Sequence, residues 1–332
     1  MRFQVFLTFV TTAFAALCMS GQAVAQPEFV DPPLPHSVAN VTSTFTRLEL
    51  QQDEDKKSAD ENEPADFGAK GMEHFMRVRR DAKRKPVAFE SSVTRYVAVD
   101  DDGSPVYVDL IGVVHIGESG YYDELNKIFK KYDSVLYELV APEGTVIPKG
   151  GGRSEGGNPV AALQQGMQAV LGLEFQLKHI DYEQKNFVHA DMTPEEYVQS
   201  MTDNDESFGK IMLKALGHSM AQSGNSSVSN FDMMRVLLAK DKEIKMRQMF
   251  AKQMVEMEGG MAIFEGRDGS TIINHRNGKV MKVLDRELGD GKKKLAIFYG
   301  AGHLPDMDRR LTSDFKMKRA GQYWLEAWKL KR

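Results

Sequence analysis

Apolar and polar positions alternate from Val87 to Val99 and break at the turn-forming run Asp100-Asp101-Asp102-Gly103. They resume as a nearly continuous apolar stretch from Pro105 to His115. This pattern predicts a β-hairpin whose second strand ends in "GVVHIG". The period then changes. Tyr122, Leu125, Ile128 and Phe129 fall on one helical face, and "DSVLYELV" at 133–140 reads as a buried strand. Strand, helix and strand in close succession make a βαβ unit, with a partly parallel sheet whose loops gather at one edge.

Further along, residues 159–258 are mostly helical in pattern. Thr193, Pro194 and Glu196 supply the cap, first position and capping-box partner of one helix, and residues 229–254 suit a long amphipathic one. Met233, Met246, Met249 and Met254 are adaptable core filler on this reading. Another helix spans 270–288, and "KKLAIFYGAGHLPDM" at 293–307 again runs strand, glycine, histidine. The fold class predicted is α/β (or α+β): a mixed, partly parallel central sheet with flanking helices and a helical insertion at about 159–258, all within a domain covering 86–332.

The N-terminal quarter differs in kind. Residues 1–25 read as an export signal: Arg2, an apolar run from Val5 to Met19, and the small residues Ala23 and Ala25 before a cleavage point. The run is shorter than the roughly 20 residues a membrane span needs. The expected mature protein is therefore exported to a periplasmic or extracellular space, without a transmembrane segment. Residues 26–66 are rich in Pro, Asp, Glu, Lys and Ser and form an acidic linker with little to bury. Residues 67–85 contain the basic run "RVRRDAKRK", expected as a solvated helical lead-in. The Gly-rich stretch at 142–159 matches no phosphate-binding spacing and reads as a flap or spacer.

Composition narrows the chemistry. The net charge of −4, one unit more acidic once Arg2 leaves with the signal, gives no reason to expect nucleic acid as a partner. The single cysteine, Cys18, lies inside the signal, so any metal in the mature chain must be held by His, Asp or Glu. With 28 glycines and 8 histidines, roughly 0.7 Gly-x-x-His matches arise by chance, and three occur. Gly71–His74 follows no strand. Gly112–His115 and Gly300–His303 each end one, which puts both imidazoles on the rim where open α/β sheets bind ligands. The glycine three residues before each histidine lets backbone pass close to a neighbour, and Gly117 or Gly302 can adopt a turn.

Glu138 ends a strand expected to lie next to that of His115, and two histidines with one carboxylate form a facial set for a divalent metal with open positions. The same three groups can also activate water without metal. Arg276 and Asn277, on the helix before the last strand, are candidates to hold a carbonyl or oxyanion. Asp306 either orients an imidazole or caps the next helix.

"GVVHIG", the following helix, "VLYEL", "HRN" and "FYGAGHLPDM", in that order over residues 105–330, resemble the TraB/PrgY/GumN family, which includes the Tiki metalloproteases and is similar in fold to erythromycin esterases and ChaN-like proteins. The resemblance implies a metal-dependent peptidase in which His115, His303 and Glu138 hold the ion (Mn, Co or Zn) and Arg276 and Asn277 match the family's Arg-Asn pair. Val113 stands where the first motif often has Thr, and Asp306 where the second often has Gly. The expected function is an exported metal-dependent hydrolase acting on a peptide or small molecule. The alternatives are a non-catalytic binder of peptide or haem and a metal-free esterase that uses histidine as base. The sequence sets no oligomeric state.

Overall fold

The computed structural model describes residues 74–148, 150, 171–203, 239, 241–258 and 271–332. The stretches expected as an export signal and an acidic linker, most of the Gly-rich stretch and most of residues 204–240 lie outside them. The described chain is mixed α/β, with a seven-stranded, partly parallel sheet flanked by six helices.

Strand β1 (Met76–Arg80) is followed by the long β2 (Pro86–Val99) and by β3 (Pro105–Val113). One edge of β2 is shared: β1 pairs antiparallel with residues 86–91 and β3 with residues 93–99. After the short β4 (Ile116–Gly117) and helix α1 (Ser119–Phe129) comes β5 (Ser134–Tyr137). Next come β6 (Glu174–Phe175), α2 (Gln176–His179), β7 (Phe187–His189), α3 (Pro194–Asp203) and α4 (Lys242–Glu258). A π turn (Thr271–His275) leads into α5 (Arg276–Gly289). The chain then forms β8 (Lys294–Gly300), a 3-10 turn (Ala301–His303), α6 (Leu304–Ser313) and β9 (Lys318–Lys329). Strands β3, β8, β5 and β7 lie side by side in that order, all parallel.

Alternation along the central strands sorts the core into two layers. Val108, Leu110, Leu136, Leu295, Ile297 and Tyr299 face α5 and α6, where they meet Val280, Leu284, Leu304 and Met307. Ile111, Val113, Val135, Tyr137, Ala296 and Phe298 face the other way, toward Tyr122, Leu125 and Phe129 of α1 and Phe250 of α4. Parallel strands covered on both faces read as continuous apolar runs, as these do.

Four expectations change. The basic lead-in is a strand, not a helix: in "MRVRR" Met76 and Val78 pack on the core, while Arg77 and Arg79 both pair with Glu90 across the hairpin, at 2.7 and 2.5 Å. The ordered body therefore begins before Pro86. Residues 187–189, inside the stretch expected to be a helical insertion, add the parallel strand β7 to the main sheet. The strand of Glu138 is not beside that of His115, because β8 lies between them. Finally, β9 was not foreseen. It pairs with β2 and supports the turn after His115, with Trp328 Nε1 donating to the Ile116 carbonyl at 2.6 Å. The capping box at Thr193 is present, with Glu196 N–H donating to Thr193 Oγ1 at 3.2 Å and Thr193 N–H to Glu196 Oε2 at 2.9 Å.

Inside the sheet, Arg95 donates twice to the buried Asp109 at 2.9 Å, and Tyr132 donates to the same carboxylate at 2.6 Å. Removing one partner of a buried pair strands a charge, so Arg95→Leu is expected to destabilise by about 3–5 kcal/mol. Arg79→Ala, on the exposed hairpin, is expected to cost at most about 1 kcal/mol. Urea unfolding of the two variants tests the difference.

Candidate active site

Because β3, β8, β5 and β7 are parallel, their carboxyl ends open on the same edge. They deliver His115, His303, Glu138 and Asp191 respectively, each within three residues of its strand. Glu138 follows the alternation of Leu136, so its carboxylate turns toward the face covered by α5. There it meets Arg276, the first residue of that helix.

The guanidinium of Arg276 is 1% exposed. Its Nε donates to Asp191 Oδ1 at 2.9 Å, and its Nη2 donates to Asp191 Oδ2 at 2.5 Å and to Glu138 Oε1 at 2.8 Å. The other oxygen of Glu138 accepts the Gly300 backbone N–H at 2.7 Å. Burial opposes the charge on Glu138, but Arg276, then the two imidazoles and the Gly300 N–H, outweigh it and hold the carboxyl down at about 2. Such a carboxylate is a fixed negative charge rather than a proton acceptor near neutral pH.

His303 is buried and its Nε2 stands 3.7 Å from Glu138 Oε1. Its Nδ1 lies 2.8 Å from the amide oxygen of Asn277, an acceptor that suits a proton on Nδ1 and a lone pair on Nε2. Among the described residues that Nε2 is buried without a hydrogen-bond partner. Burial pulls the imidazole down to about 4, against the opposing pull of Glu138. His115 is half-buried, more exposed than His303. Its Nδ1 faces the Gln176 amide oxygen at 2.7 Å, while the Gln176 NH2 donates to the Tyr182 hydroxyl at 2.7 Å. This arrangement also leaves Nε2 as the free nitrogen.

The motif glycines serve each other's histidine. A Cβ on Gly300 would lie 3.2 Å from both His115 Nε2 and Glu138 Oε2, and one on Gly112 would lie 3.1 Å from Leu304 and 3.4 Å from Ala301, which flank His303's turn. Close approach is thus what both positions require. Gly117 likewise lies against Tyr121, and neither it nor Gly302 is among the glycines with positive φ.

His115, His303, Glu138, Arg276 and Asn277 therefore come together, as expected, while His74 is exposed at the start of β1 and far along the sheet order. Two of them are bonded to other residues of the site. Asn277 is fully buried and spends its amide on His303 and Asp306, while Arg276 spends Nε and Nη2 on the two carboxylates and keeps its buried Nη1 without a hydrogen-bond partner among the described residues. Both position other groups. Asp191 and Gln176 were not foreseen. "FVHAD" repeats the apolar-run-then-carboxylate pattern of "VLYE", and that was the available signal for Asp191. Gln176 carried none, because it is brought in by the β4–β6 pairing. His189 is satisfied by the Leu139 carbonyl at 2.6 Å.

Among the described residues, no three His, Cys, Asp or Glu side chains are already drawn around one point as a formed metal centre. The donor chemistry nonetheless suits a divalent ion. Each imidazole has its Nδ1 committed to an amide oxygen and its Nε2 free, the usual arrangement around a metal-ligating histidine. Two buried carboxylates face one buried guanidinium, leaving a formal negative charge for a cation to balance. Comparison with protein-family models, with curated proteins and with solved structures finds no match to this chain.

The two shifted groups act in the same direction on stability. The unfolded chain takes a proton on His303 near pH 6.5, whereas the folded protein resists until about 4, so stability is lost as pH falls through that window. Glu138, whose unfolded value is 4.5, adds a second loss between there and about 2. In chelator-treated protein, the urea midpoint is expected to drop between pH 6.5 and 4.5. His303→Gln should flatten that slope.

Proposed function

We propose that the protein is an exported hydrolase, acting on a peptide bond, whose reaction centre is the space between His115, His303 and Glu138, with a divalent ion of the Mn, Co or Zn type as cofactor. The observation that supports this most strongly is the buried, unpartnered Nε2 of His303, turned toward a carboxylate with no proton of its own to offer. A buried polar atom without a partner is costly and calls for an occupant. His115 Nε2, His303 Nε2 and Glu138 are the residues that would hold the ion. When bound, it supplies a water of lowered pKa and polarises the scissile carbonyl. The choice of peptide rests on the motif resemblance.

The chain's own residues do the rest. His115, the half-buried member, has its Nδ1 held by the Gln176 amide oxygen, which keeps its Nε2 available to the ion. His303 stays neutral because it is buried. Arg276 and Asp191 fix the Glu138 carboxylate, and Gln176 fixes the His115 ring. The missing Cβ of Gly300 leaves room where His115 and Glu138 converge.

One observation favours a second reading. Both Glu138 oxygens already accept hydrogen bonds, from Arg276 and from Gly300, which suits a metal-free esterase in which His115 is the base. Calorimetric titration of chelator-treated protein with Mn2+, Co2+ and Zn2+ separates the two. The hydrolase reading expects one site per chain, lost in His115→Ala and His303→Ala and retained in His74→Ala. It also expects cleavage of quenched fluorescent peptides to be lost in the first two variants, because each removes a group that would hold the ion. No binding of any of the three ions, together with His115-dependent hydrolysis of nitrophenyl esters, would establish the second.

A further inference from the structure

A neutral imidazole can carry its proton on either nitrogen, and only the Nδ1–H form gives His303 an Nε2 lone pair facing Glu138. Its immediate partner, Asn277, is ambiguous in itself, because its amide can rotate to offer either oxygen or NH2. What settles the rotation lies one residue further out. The Asn277 NH2 points at two groups that only accept, Asp306 Oδ2 at 2.9 Å and the His303 carbonyl at 3.1 Å. Turning the amide over would set its oxygen against both.

The Asp306 carboxylate is in turn held by Arg310 Nε at 2.6 Å and by Arg309, and Arg310 is anchored on the Asn274 carbonyl at 3.2 Å. Asp306 is 4% exposed and lies on the first turn of α6, one turn past His303. Of the two acceptors, the His303 carbonyl belongs to the backbone that any sequence would place there. Asp306 is the one that this sequence contributes.

We infer that Asp306 is a positioning residue which, through Asn277, locks His303 in the Nδ1–H tautomer and so turns a basic nitrogen into the reaction centre. The consequence for activity rests on the hydrolase reading, but the tautomer itself does not. The chain Arg310–Asp306–Asn277–His303 runs entirely through side chains of α5, α6 and the turn between β8 and α6. Asn277 alone, with only the His303 carbonyl to orient it, has a weaker preference. An asparagine or serine at 306 can meet the Asn277 amide as donor or acceptor, so both orientations become available.

The test is the long-range 1H–15N spectrum of the metal-free, full-length protein at pH 7, which reports which imidazole nitrogen is protonated, with the His303 signal assigned by its loss in His303→Gln. Wild type is expected to show only the Nδ1–H form. Asp306→Asn and the smaller Asp306→Ser should show a measurable Nε2–H population. A folded variant that keeps the single Nδ1–H form would overturn the inference, and so would an Nε2–H form in wild type, a result that needs no variant to fold. If the hydrolase reading also holds, Zn2+ affinity should fall about 10–100-fold in both Asp306 variants. Failure of wild type to bind Zn2+ would contradict that reading and leave the tautomer result standing.

Discussion

The Arg276 guanidinium lies between Asp191 and Glu138, sealed from solvent, and ties three separate pieces of chain to one point: the end of β5, the end of β7 and the start of α5. Burying these charges is costly, and the bidentate geometry to Asp191 is what offsets the desolvation. Removing Arg276 would leave two buried carboxylates facing each other uncompensated. Arg276 is therefore both the constraint that packs α5 on the sheet and the reason that Glu138 stays ionised with its oxygens aimed at Gly300 and His303. A lysine in its place would keep the charge and lose the planar fork that meets both carboxylates.

From that anchor the rest of the site follows by strand geometry. Parallel neighbours present their carboxyl ends together, and alternation decides which side chains turn toward α5 and α6. The two Gly-x-x-His segments are adjacent in space because β3 and β8 pair directly, with Gly112 opposite Tyr299 and Val113 opposite Gly300. Each glycine then clears space on the other's side. The pairing of the motifs is a packing requirement of the fold as well as a way of bringing two imidazoles together.

Much of this was legible because the physical signal is local. Apolar runs that stop at a histidine or a carboxylate mark strand ends, and parallel topology brings such ends to one edge. His115, His303 and Glu138 were found in that way. The order of the strands was not legible: β8 slips between β3 and β5 although it lies more than 150 residues beyond them in the chain, and nothing local records that. "MRVRR" misled because basic residues on the exposed side of a hairpin resemble a solvated helix when their charge is weighed above their period of two. The partners of Arg276 and Asn277 were also hidden. The Asn277 amide is buried and spent on His303 and Asp306, and burial is a tertiary property that no local pattern records. β9 was overlooked for a related reason: it is rich in charge, yet Trp328, Ala327 and Leu330 bring the chain's end under the loop that carries His115.

In a metal-dependent hydrolase of this geometry, the free nitrogens of His115 and His303 share one ion with Glu138. X-ray absorption of the Co2+-loaded protein measures this directly. The expected spectrum shows an inner shell with scattering from two imidazole rings, reduced to one ring in His303→Gln and again to one in His115→Gln. An inner shell of oxygen alone, or one left unchanged by either substitution, would contradict it.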